Sequence, residues 1–203
     1  MIKLYDFPLS GHAHRVRLML SLLKINYETV HVKLDEAEHL GDSFLSLNPF
    51  HQVPVLDDNG FIVRDSVAIL CYLATKYAPQ WYPQDAQSVA LIQQWLAIST
   101  KEMAAGPAAA RLVNVFNADL DHKNAIEQSH TLLSIINTHL DSQKWLATNQ
   151  ISIADIAAYT YIAHAPEGDV SLEKYKNITQ WLTRIEALND FVAMPTTPVG
   201  LAG

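Results

Sequence analysis

Apolar positions in the first 78 residues follow two different periods, which predicts a mixed α/β unit. Residues 2–7 and 27–32 are short and rich in β-formers, as strands are, whereas Val16, Met19, Leu20 and Leu23 recur at helical spacing. The predicted elements are a strand at 2–7, a helix around 16–23, a strand at 27–32, a short helix at about 38–47, a hairpin at 52–64 and a helix from there to about 78. A right-handed crossover would make the first two strands parallel neighbours.

The rest of the chain carries only the helical period. Apolar residues mark a long helix (Ile92, Trp95, Leu96, Met103), a second helix (Leu132, Leu133, Ile136, Leu140) and a last helix (Ile178, Trp181, Leu182, Ile185, Leu188). The segment Ala105-Gly106-Pro107 should kink the long helix. We therefore predict an α/β domain at 1–78, a proline-containing linker at 79–87 and an all-helical domain at 88–203, with a loose tail from Pro195.

Composition narrows the function classes. The 203 residues are 49% hydrophobic and 17% charged, so a packed core is expected and disorder is not. A net charge of −7 argues against nucleic acid as the main partner, and no apolar run reaches the ~18 residues of a membrane span. The chain opens directly as a strand, without a secretory signal, which indicates a cytoplasmic protein. One cysteine, Cys71, excludes an internal disulfide, and its apolar surroundings predict a buried, inert thiol.

The hairpin region carries the most informative pattern. Val53 precedes Pro54 and should be extended, with its backbone free to pair with another peptide. A turn at Asp58-Asn59-Gly60 joins two strands, and Asp65-Ser66 then stands where a helix must begin. The N–H groups and hydroxyl of a helix N-terminus attract a carboxylate. Together these features suggest a site for a small peptide that carries carboxylates.

The order of these elements resembles that of the soluble glutathione transferases, over about residues 2–192. The shared features are the α/β order, the Val-Pro start of the third strand, the acidic-Ser pair before the third helix and a helical second half. Residues 151–159, which start with a capping-box pattern at Ser152 and Asp155, resemble the sixth helix of that family. The resemblance implies a bacterial-type enzyme with a thioredoxin-like N-terminal domain and an all-α C-terminal bundle. It also implies a homodimer that uses glutathione and a small electrophilic, mostly apolar substrate.

The start of the first helix resembles that of serine-type classes. Residues 10–17, Ser-Gly-His-Ala-His-Arg-Val-Arg, are similar to zeta and phi enzymes, but the zeta Ser-Ser-Cys is absent and residues 48–54 look more like phi. The resemblance implies that the Ser10 hydroxyl donates to the glutathione sulfur and so stabilises its thiolate. The alternative is that Ser10 only caps the helix. Tyr5, inside the first strand, is a rival donor that ranks below Ser10.

The other glutathione contacts are also implied by the resemblance. Val53 should pair its backbone with the cysteinyl unit, next to a cis Pro54, whereas Asp65 faces the γ-glutamyl ammonium and Ser66 the γ-glutamyl carboxylate. Gln52 matches the polar residue near the glycyl end. Phi enzymes often have a lysine after the position of His39, and here it is Leu40. His39, Lys33 or His51 would substitute for it, or glutathione would bind more weakly.

The second substrate should lie between the two predicted domains, a favoured location for ligands. Its expected contacts are Leu9, His12, Met103, Pro107 and Arg111. Arg111 would meet an acidic substrate, or it would pair with an acidic helix neighbour or with the other subunit. The alanines at 104, 105 and 108–110 would leave room for a ligand or another helix. No metal site is expected, because the histidines lack the spacing of metal motifs.

Two other functions remain open at this stage. A glutathione-dependent isomerase of the zeta type is favoured by Arg15-Val16-Arg17 and weakened by the missing Ser and Cys. A non-catalytic binding or regulatory protein on the same fold is favoured by Leu40, because fold does not dictate function. A disulfide reductase is disfavoured, since no cysteine lies near Ser10. The electrophile itself is not identified by the sequence.

Overall fold

A four-stranded mixed sheet forms the first part of the computed structural model, which describes residues 1–203. The strands are β1 (Ile2–Asp6), β2 (Tyr27–His31), β3 (Val55–Asp58) and β4 (Phe61–Arg64). Their order is β2-β1-β3-β4, with β1 parallel to β2 and antiparallel to β3, and with β3 antiparallel to β4. The predicted parallel pair is therefore confirmed. With its flanking helices this sheet is the predicted thioredoxin-like α/β fold.

Helices make up the rest of the chain, and no strand follows β4. The helices are α1 (Gly11–Leu22), α2 (Asp42–Leu45), α3 (Ser66–Tyr77), α4 (Ala86–Thr100), α5 (Ala109–Phe116), α6 (His122–His139), α7 (Ile153–Ala163) and α8 (Lys176–Glu186). A 3-10 turn at Pro79–Trp81 lies in the predicted linker. No helix combines the length and the apolar character that crossing a membrane requires.

Alternation along the strands divides the apolar residues between the two faces of the sheet. Leu4 and Leu56 pack into the main core, which continues through the helical part of the chain. Val55 and Val53 belong to a small second cluster on the other face, with Phe44 of α2. Helix α1 packs against α3 and α7, so it lies between the sheet and the helical part. This burial fixes the place of the N-terminus of α1.

The predicted short helix at 38–47 is two separate pieces. Glu38–Leu40 form a 3-10 turn and Asp42–Leu45 form α2, because Gly41 between them is extended, with φ −75° and ψ 154°. An extended residue cannot continue the helical hydrogen-bond ladder. The cavity wall that includes His39 is therefore a turn and not a helix.

The kink predicted near Pro107 is confirmed as a π-helical turn at Ala104–Ala108. Pro107 lacks the N–H that a regular helix would use there, and the extra residue of a π turn accommodates that loss. Gly106 lets α6 approach closely, because a Cβ at this position would lie 3.1 Å from the backbone nitrogen of Ser129. The turn changes which residues of this segment share one face.

A buried carboxylate organises the helical part. The capping box predicted at Ser152 and Asp155 is present at the start of α7. Asp155 is fully buried, and it accepts hydrogen bonds from Ser152 N–H at 3.0 Å, Leu146 N–H at 2.9 Å and Trp181 Nε1–H at 2.9 Å. Burial raises the pKa of this carboxyl, and the three donors oppose that change. One side chain thus ties α7 to α8 and to the loop before α7.

The chain after Pro195 is mostly exposed, as a loose tail would be, but it is anchored at Thr197 and Gly200, which the prediction did not include. Met194 is buried, and Thr197 N–H donates to Glu167 Oε1 at 2.7 Å. Gly200 adopts φ +58°, and a Cβ there would lie 2.5 Å from the Glu167 carbonyl oxygen. The buried carboxylate of Glu167 needs hydrogen-bond donors, and the tail supplies one of them. Composition alone did not show this partner.

We predict that Asp155→Ala lowers the free energy of unfolding by about 3 kcal/mol or more, because it leaves three buried donors unpaired. The matched control is Asp121→Ala, which removes an exposed cap that accepts from Asn124 N–H at 3.0 Å and should cost about 1 kcal/mol. Urea denaturation at one protein concentration measures both. Equal losses for the two variants would contradict the organising role of Asp155.

Candidate active site

A polar cavity of about 260 Å³ opens at the N-termini of α1 and α3. Its lining residues are Ser10, His12, Leu34, His39, Asn48, His51, Gln52, Val53, Pro54, Asp65 and Ser66. Seven residues predicted for the glutathione site line this one cavity: Ser10, His39, Gln52, Val53, Pro54, Asp65 and Ser66. His12 and Ser66, which are 54 residues apart in sequence, therefore meet in one site, because β3 pairs with β1 beside the start of α1.

Ser10 is the N-cap residue of α1. Its backbone is extended, with φ −76° and ψ 117°, and its Oγ accepts a hydrogen bond from Ala13 N–H at 3.2 Å. An N-cap hydroxyl accepts from the helix and keeps its own hydrogen for another acceptor. The partial positive charge of the helix N-terminus favours an anion at the same point. Capping and donation to a thiolate are therefore compatible in Ser10.

Asp65 has an unusual backbone that places its carboxylate over the start of α3. Its φ is +72°, in a region that side chains other than glycine rarely adopt. Oδ1 accepts from Val67 N–H at 2.9 Å and from Ala68 N–H at 3.0 Å, whereas Oδ2 has no partner within the chain. Asp65 is thus a helix cap with one exposed oxygen left for a cation.

Ser66 lies between the cavity and the buried guanidinium of Arg15. Its Oγ lies 3.2 Å from His12 Nδ1 and 3.4 Å from Arg15 Nη1. Arg15 is fully buried and has no carboxylate within ion-pair distance, and it donates to His12 Nδ1 at 3.0 Å and to the Ser99 carbonyl at 3.3 Å. Burial and the charge of Arg15 lower the pKa of His12 to about 3. The His12 ring is therefore neutral, with its hydrogen on Nε2.

The backbone of Val53 is available to a peptide ligand. The Val53–Pro54 peptide bond is cis, as predicted. Val53 is buried in the cavity wall, and neither its N–H nor its carbonyl pairs with another part of the chain. Buried backbone groups are almost always paired in folded proteins. A ligand with a peptide backbone would satisfy both groups.

Two histidines occupy the end of the cavity where the glycyl carboxylate is expected. His39 Nδ1 is buried without a partner, and His51 Nδ1 lies 3.3 Å from the His39 carbonyl oxygen. Lys33, the other predicted substitute for a lysine at Leu40, pairs with Glu36 at 3.1 Å and does not line the cavity. No three histidine, cysteine, aspartate or glutamate side chains lie close enough to hold a metal ion.

A second, mainly apolar cavity of about 430 Å³ adjoins the first. Its lining residues are Phe7, Leu9, Ser10, Gly11, His12, Leu34, Asp35, Ala104, Ala108, Arg111, Leu112, Phe116 and Tyr161. The two cavities share Ser10, His12 and Leu34. The Ser10 hydroxyl therefore lies where a polar ligand and an apolar ligand would meet.

The structure corrects part of the predicted second-substrate wall. Leu9, His12 and Arg111 line the apolar cavity, whereas Met103 and Pro107 do not. Met103 is fully buried in the main core and Pro107 is buried inside the π turn. In their place Ala104 and Ala108, one turn apart, face the cavity. The π turn rotates the segment, so spacing counted along a regular helix misplaces its inward face.

Arg111 joins the helical part of the chain to the loop before Ser10. Its Nε donates to the buried carboxylate of Glu167, and its Nη1 donates to the Leu9 carbonyl at 3.0 Å. Burial would raise the pKa of Glu167, but hydrogen bonds from Thr197 N–H and Arg111 hold it below the ordinary value. Arg111 therefore pairs with an acidic side chain, but its partner lies 56 residues away in the chain and outside the helix of Arg111.

Two other sequence predictions concern side chains outside both cavities. Tyr5 packs edge-on against Phe44 at 6.4 Å between ring centroids and lines neither cavity, which removes it as a donor to the sulfur. Cys71 is only partly buried, and burial raises the pKa of its thiol to about 11. The thiol is thus protonated at neutral pH and a poor nucleophile.

Sequence reasoning assigned no role to Arg15 in the site or to Tyr161. In the sequence Arg15 is part of a family-like Arg-Val-Arg motif, and it stands beside Val16 on a helix with a buried face. An arginine among core positions is a signal for a buried polar cluster. Tyr161 carried no such signal, since aromatic residues on α7 are expected in a core.

Comparison with known proteins identifies the family to which the chain belongs. The family model for the glutathione S-transferase N-terminal domain matches residues 1–75, and that for the C-terminal domain matches residues 94–189. Mouse glutathione S-transferase theta-1 is 30% identical over 199 residues, which are 92% of this chain and 83% of the mouse protein.

Solved structures agree with this result. A glutathione S-transferase from Pseudomonas fluorescens has a TM-score of 0.90 at 27% identity and covers 95% of this chain and 98% of its own. A glutathione transferase homologue from Drosophila mojavensis, solved with bound glutathione, has a TM-score of 0.84 at 26% identity. The match covers 93% of this chain and 88% of the homologue. The chain therefore belongs to the glutathione S-transferase family.

Proposed function

We propose that this protein is a serine-type glutathione transferase, in which Ser10 activates the glutathione thiol for attack on small electrophilic, mostly apolar compounds. The observation that carries the proposal is the position of Ser10 in the walls of both the polar and the apolar cavity. A thiolate at Ser10 would face its electrophile across this shared wall. The N-terminal motifs of the protein resemble those of the phi and zeta classes, and the role of the enzyme would be detoxification in the cytoplasm.

Glutathione would occupy the polar cavity as an extended peptide. Its γ-glutamyl carboxylate would bind Ser66, its ammonium would bind the free oxygen of Asp65, and its cysteinyl unit would pair with the Val53 backbone. Gln52, His39 and His51 would hold the glycyl end. The buried charge of Arg15, next to the Ser66 hydroxyl and without a carboxylate partner, supports an anionic group at Ser66.

The chemical step would begin with loss of the thiol proton. Hydrogen-bond donation by Ser10 and the positive end of α1 both stabilise the thiolate, and so lower the pKa of the thiol. The sulfur then forms a bond to the electrophilic carbon, and the displaced electron pair leaves with a leaving group or moves into the substrate. The apolar wall of the second cavity excludes water, which strengthens these electrostatic effects.

We also propose that residues 79–87 link an N-terminal α/β domain to a C-terminal helical domain. We further propose that the chain forms a homodimer. Phe50 and Phe61 are large apolar side chains that are 69% and 58% exposed in the single chain. A second copy would cover such residues, as is usual in this family.

We predict that Ser10→Ala still binds glutathione but ionises it at a higher pH. Loss of one charge-assisted hydrogen bond, about 1.5–3 kcal/mol, should raise the thiol pKa by roughly one to two units. The ultraviolet absorbance of the bound thiolate, followed against pH, measures this shift. Ser134→Ala, which removes an exposed hydroxyl of α6 that lines neither cavity, is the matched control.

Each possible outcome of that titration has a distinct meaning. A higher pKa in Ser10→Ala alone supports thiolate activation. Coincident titrations of wild type and Ser10→Ala would make Ser10 only a helix cap. Absence of glutathione binding in the wild type would reject the transferase proposal and favour a non-catalytic protein on this fold.

We predict that Asp65→Asn weakens glutathione binding about tenfold, since it removes the charge that faces the ammonium. Asparagine is an equally good N-cap, so the start of α3 should be preserved. Isothermal titration calorimetry with glutathione, and with an analogue that lacks the γ-glutamyl amino group, measures the effect. Affinity for the analogue should not change; an equal loss for both ligands would show damage to α3 instead.

A further inference from the structure

A tyrosine hydroxyl lies at the junction of the two cavities without an acceptor. Tyr161 extends from α7 to the N-terminus of α1, where a Cβ on Gly11 would lie 3.0 Å from its Oη and 2.7 Å from two ring carbons. Only glycine at position 11 leaves room for the ring. The hydroxyl is therefore beside Gly11, and it shares the wall of the apolar cavity with Ser10, although no hydrogen bond joins Tyr161 and Ser10.

This hydroxyl differs from the other buried tyrosine hydroxyls of the helical part. Tyr159 Oη donates to Glu186 at 2.9 Å and Tyr175 Oη donates to the His130 carbonyl at 3.1 Å. Tyr161 is 7% exposed, and its hydroxyl donates to no group of the chain. Its oxygen faces the backbone N–H of His12, which leaves the hydroxyl hydrogen free. Because Tyr161 lines the apolar cavity and its hydroxyl donates to no group of the chain, a ligand bound there is the expected acceptor.

The electrostatic surroundings keep this group a strong donor. The Arg15 guanidinium lies 5.1 Å from the ring centroid, and Arg111 is a second nearby cation. Burial raises the pKa of Tyr161 and outweighs the lowering by these two arginines. The side chain is thus a neutral phenol at physiological pH, in a field that favours negative charge at its hydrogen-bond partner.

The cavity that Tyr161 lines indicates which ligand it meets. Tyr161 belongs to the wall of the apolar cavity and not to that of the polar cavity with Val53, Asp65 and Ser66. Its acceptor is therefore a group of the second substrate. Gly11 and Ser10 in the same wall place that group next to the expected position of the sulfur.

The charges around the apolar cavity favour a neutral substrate. Glu167 compensates the charge of Arg111, and Asp35 adds an exposed carboxylate to the wall. Glutathione would bring a further negative charge to the adjoining cavity. The γ-glutamyl carboxylate at Ser66 would offset Arg15, so no net positive charge would be left to attract a substrate carboxylate. A carbonyl oxygen that gains negative charge during the reaction would still be stabilised by the Tyr161 hydroxyl.

We propose, on the basis of the proposed function, that Tyr161 is a catalytic residue that donates to the carbonyl oxygen of neutral α,β-unsaturated carbonyl compounds. The thiolate sulfur forms a bond to the β-carbon, and the carbon–carbon π pair shifts to give an enolate whose oxygen accepts from Tyr161. The enolate carbon then takes up a proton from water. The net reaction is the addition of glutathione to the carbon–carbon double bond, and it needs neither a leaving group nor an oxidant or reductant.

The test compares two electrophiles in wild type and Tyr161→Phe. 2-Cyclohexenone develops an enolate oxygen, whereas benzyl chloride loses chloride and has no acceptor oxygen. We expect Tyr161→Phe to lower kcat/KM for 2-cyclohexenone at least about tenfold more than for benzyl chloride. The thiolate titration of bound glutathione should coincide with that of wild type, which separates this role from sulfur activation.

The matched control is Tyr159→Phe, which removes a hydroxyl on the same helix that is bonded to Glu186. It should leave the ratio of the two kcat/KM values at the wild-type level. An equal change for both substrates in Tyr161→Phe, or no turnover of the enone by a wild type that turns over benzyl chloride, would overturn the role of Tyr161. Failure of the wild type to bind or ionise glutathione would instead overturn the proposed function.

Discussion

The candidate site depends on the fixed position of helix α1, whose polar side chains bond to segments from the whole chain. Arg15 reaches Ser66 at the start of α3 and the Ser99 carbonyl in α4. His14 is fully buried, with Nδ1 2.8 Å from Thr160 Oγ1 in α7 and Nε2 2.9 Å from the Val192 carbonyl. Burial lowers the pKa of His14 to about 4, so the ring is neutral. Such a network specifies one arrangement, because each unpaired member would carry a desolvation cost.

The loop before α1 is held in a similar way from two sides. Arg17 bonds to Asp6 at 2.5 Å and to the Pro8 carbonyl at 2.8 Å, whereas Arg111 bonds to the Leu9 carbonyl from the helical part. The two arginines of the Arg-Val-Arg motif therefore have separate tasks, one inside the molecule and one at the loop. Ser10 follows this loop, so its hydroxyl has a defined direction before any ligand binds. Preorganisation of this kind reduces the reorganisation needed during a reaction.

Prediction from sequence succeeded where the signal was local. A proline after Val53, an acidic-Ser pair before α3 and a capping box at Ser152 each describe a few neighbouring residues, and the structure contains all three features. Prediction from sequence was incomplete where residues that are distant in sequence contact each other. The carboxylate partner of Arg111 is Glu167, 56 residues away, and the same Glu167 holds the tail that was predicted to be loose.

The sequence by itself determined most of the secondary structure and the two kinds of unit, because periodicity and helix caps act within a few residues, and the family resemblance supplied most residues of the polar cavity. Only the tertiary structure decided which side chains face the apolar cavity. A π turn brings Ala104 and Ala108 to the wall in place of Met103 and Pro107, and packing of α7 on α1 brings the Tyr161 hydroxyl to Gly11. These choices arise from steric fit between elements, and the order of residues in one helix does not contain that information.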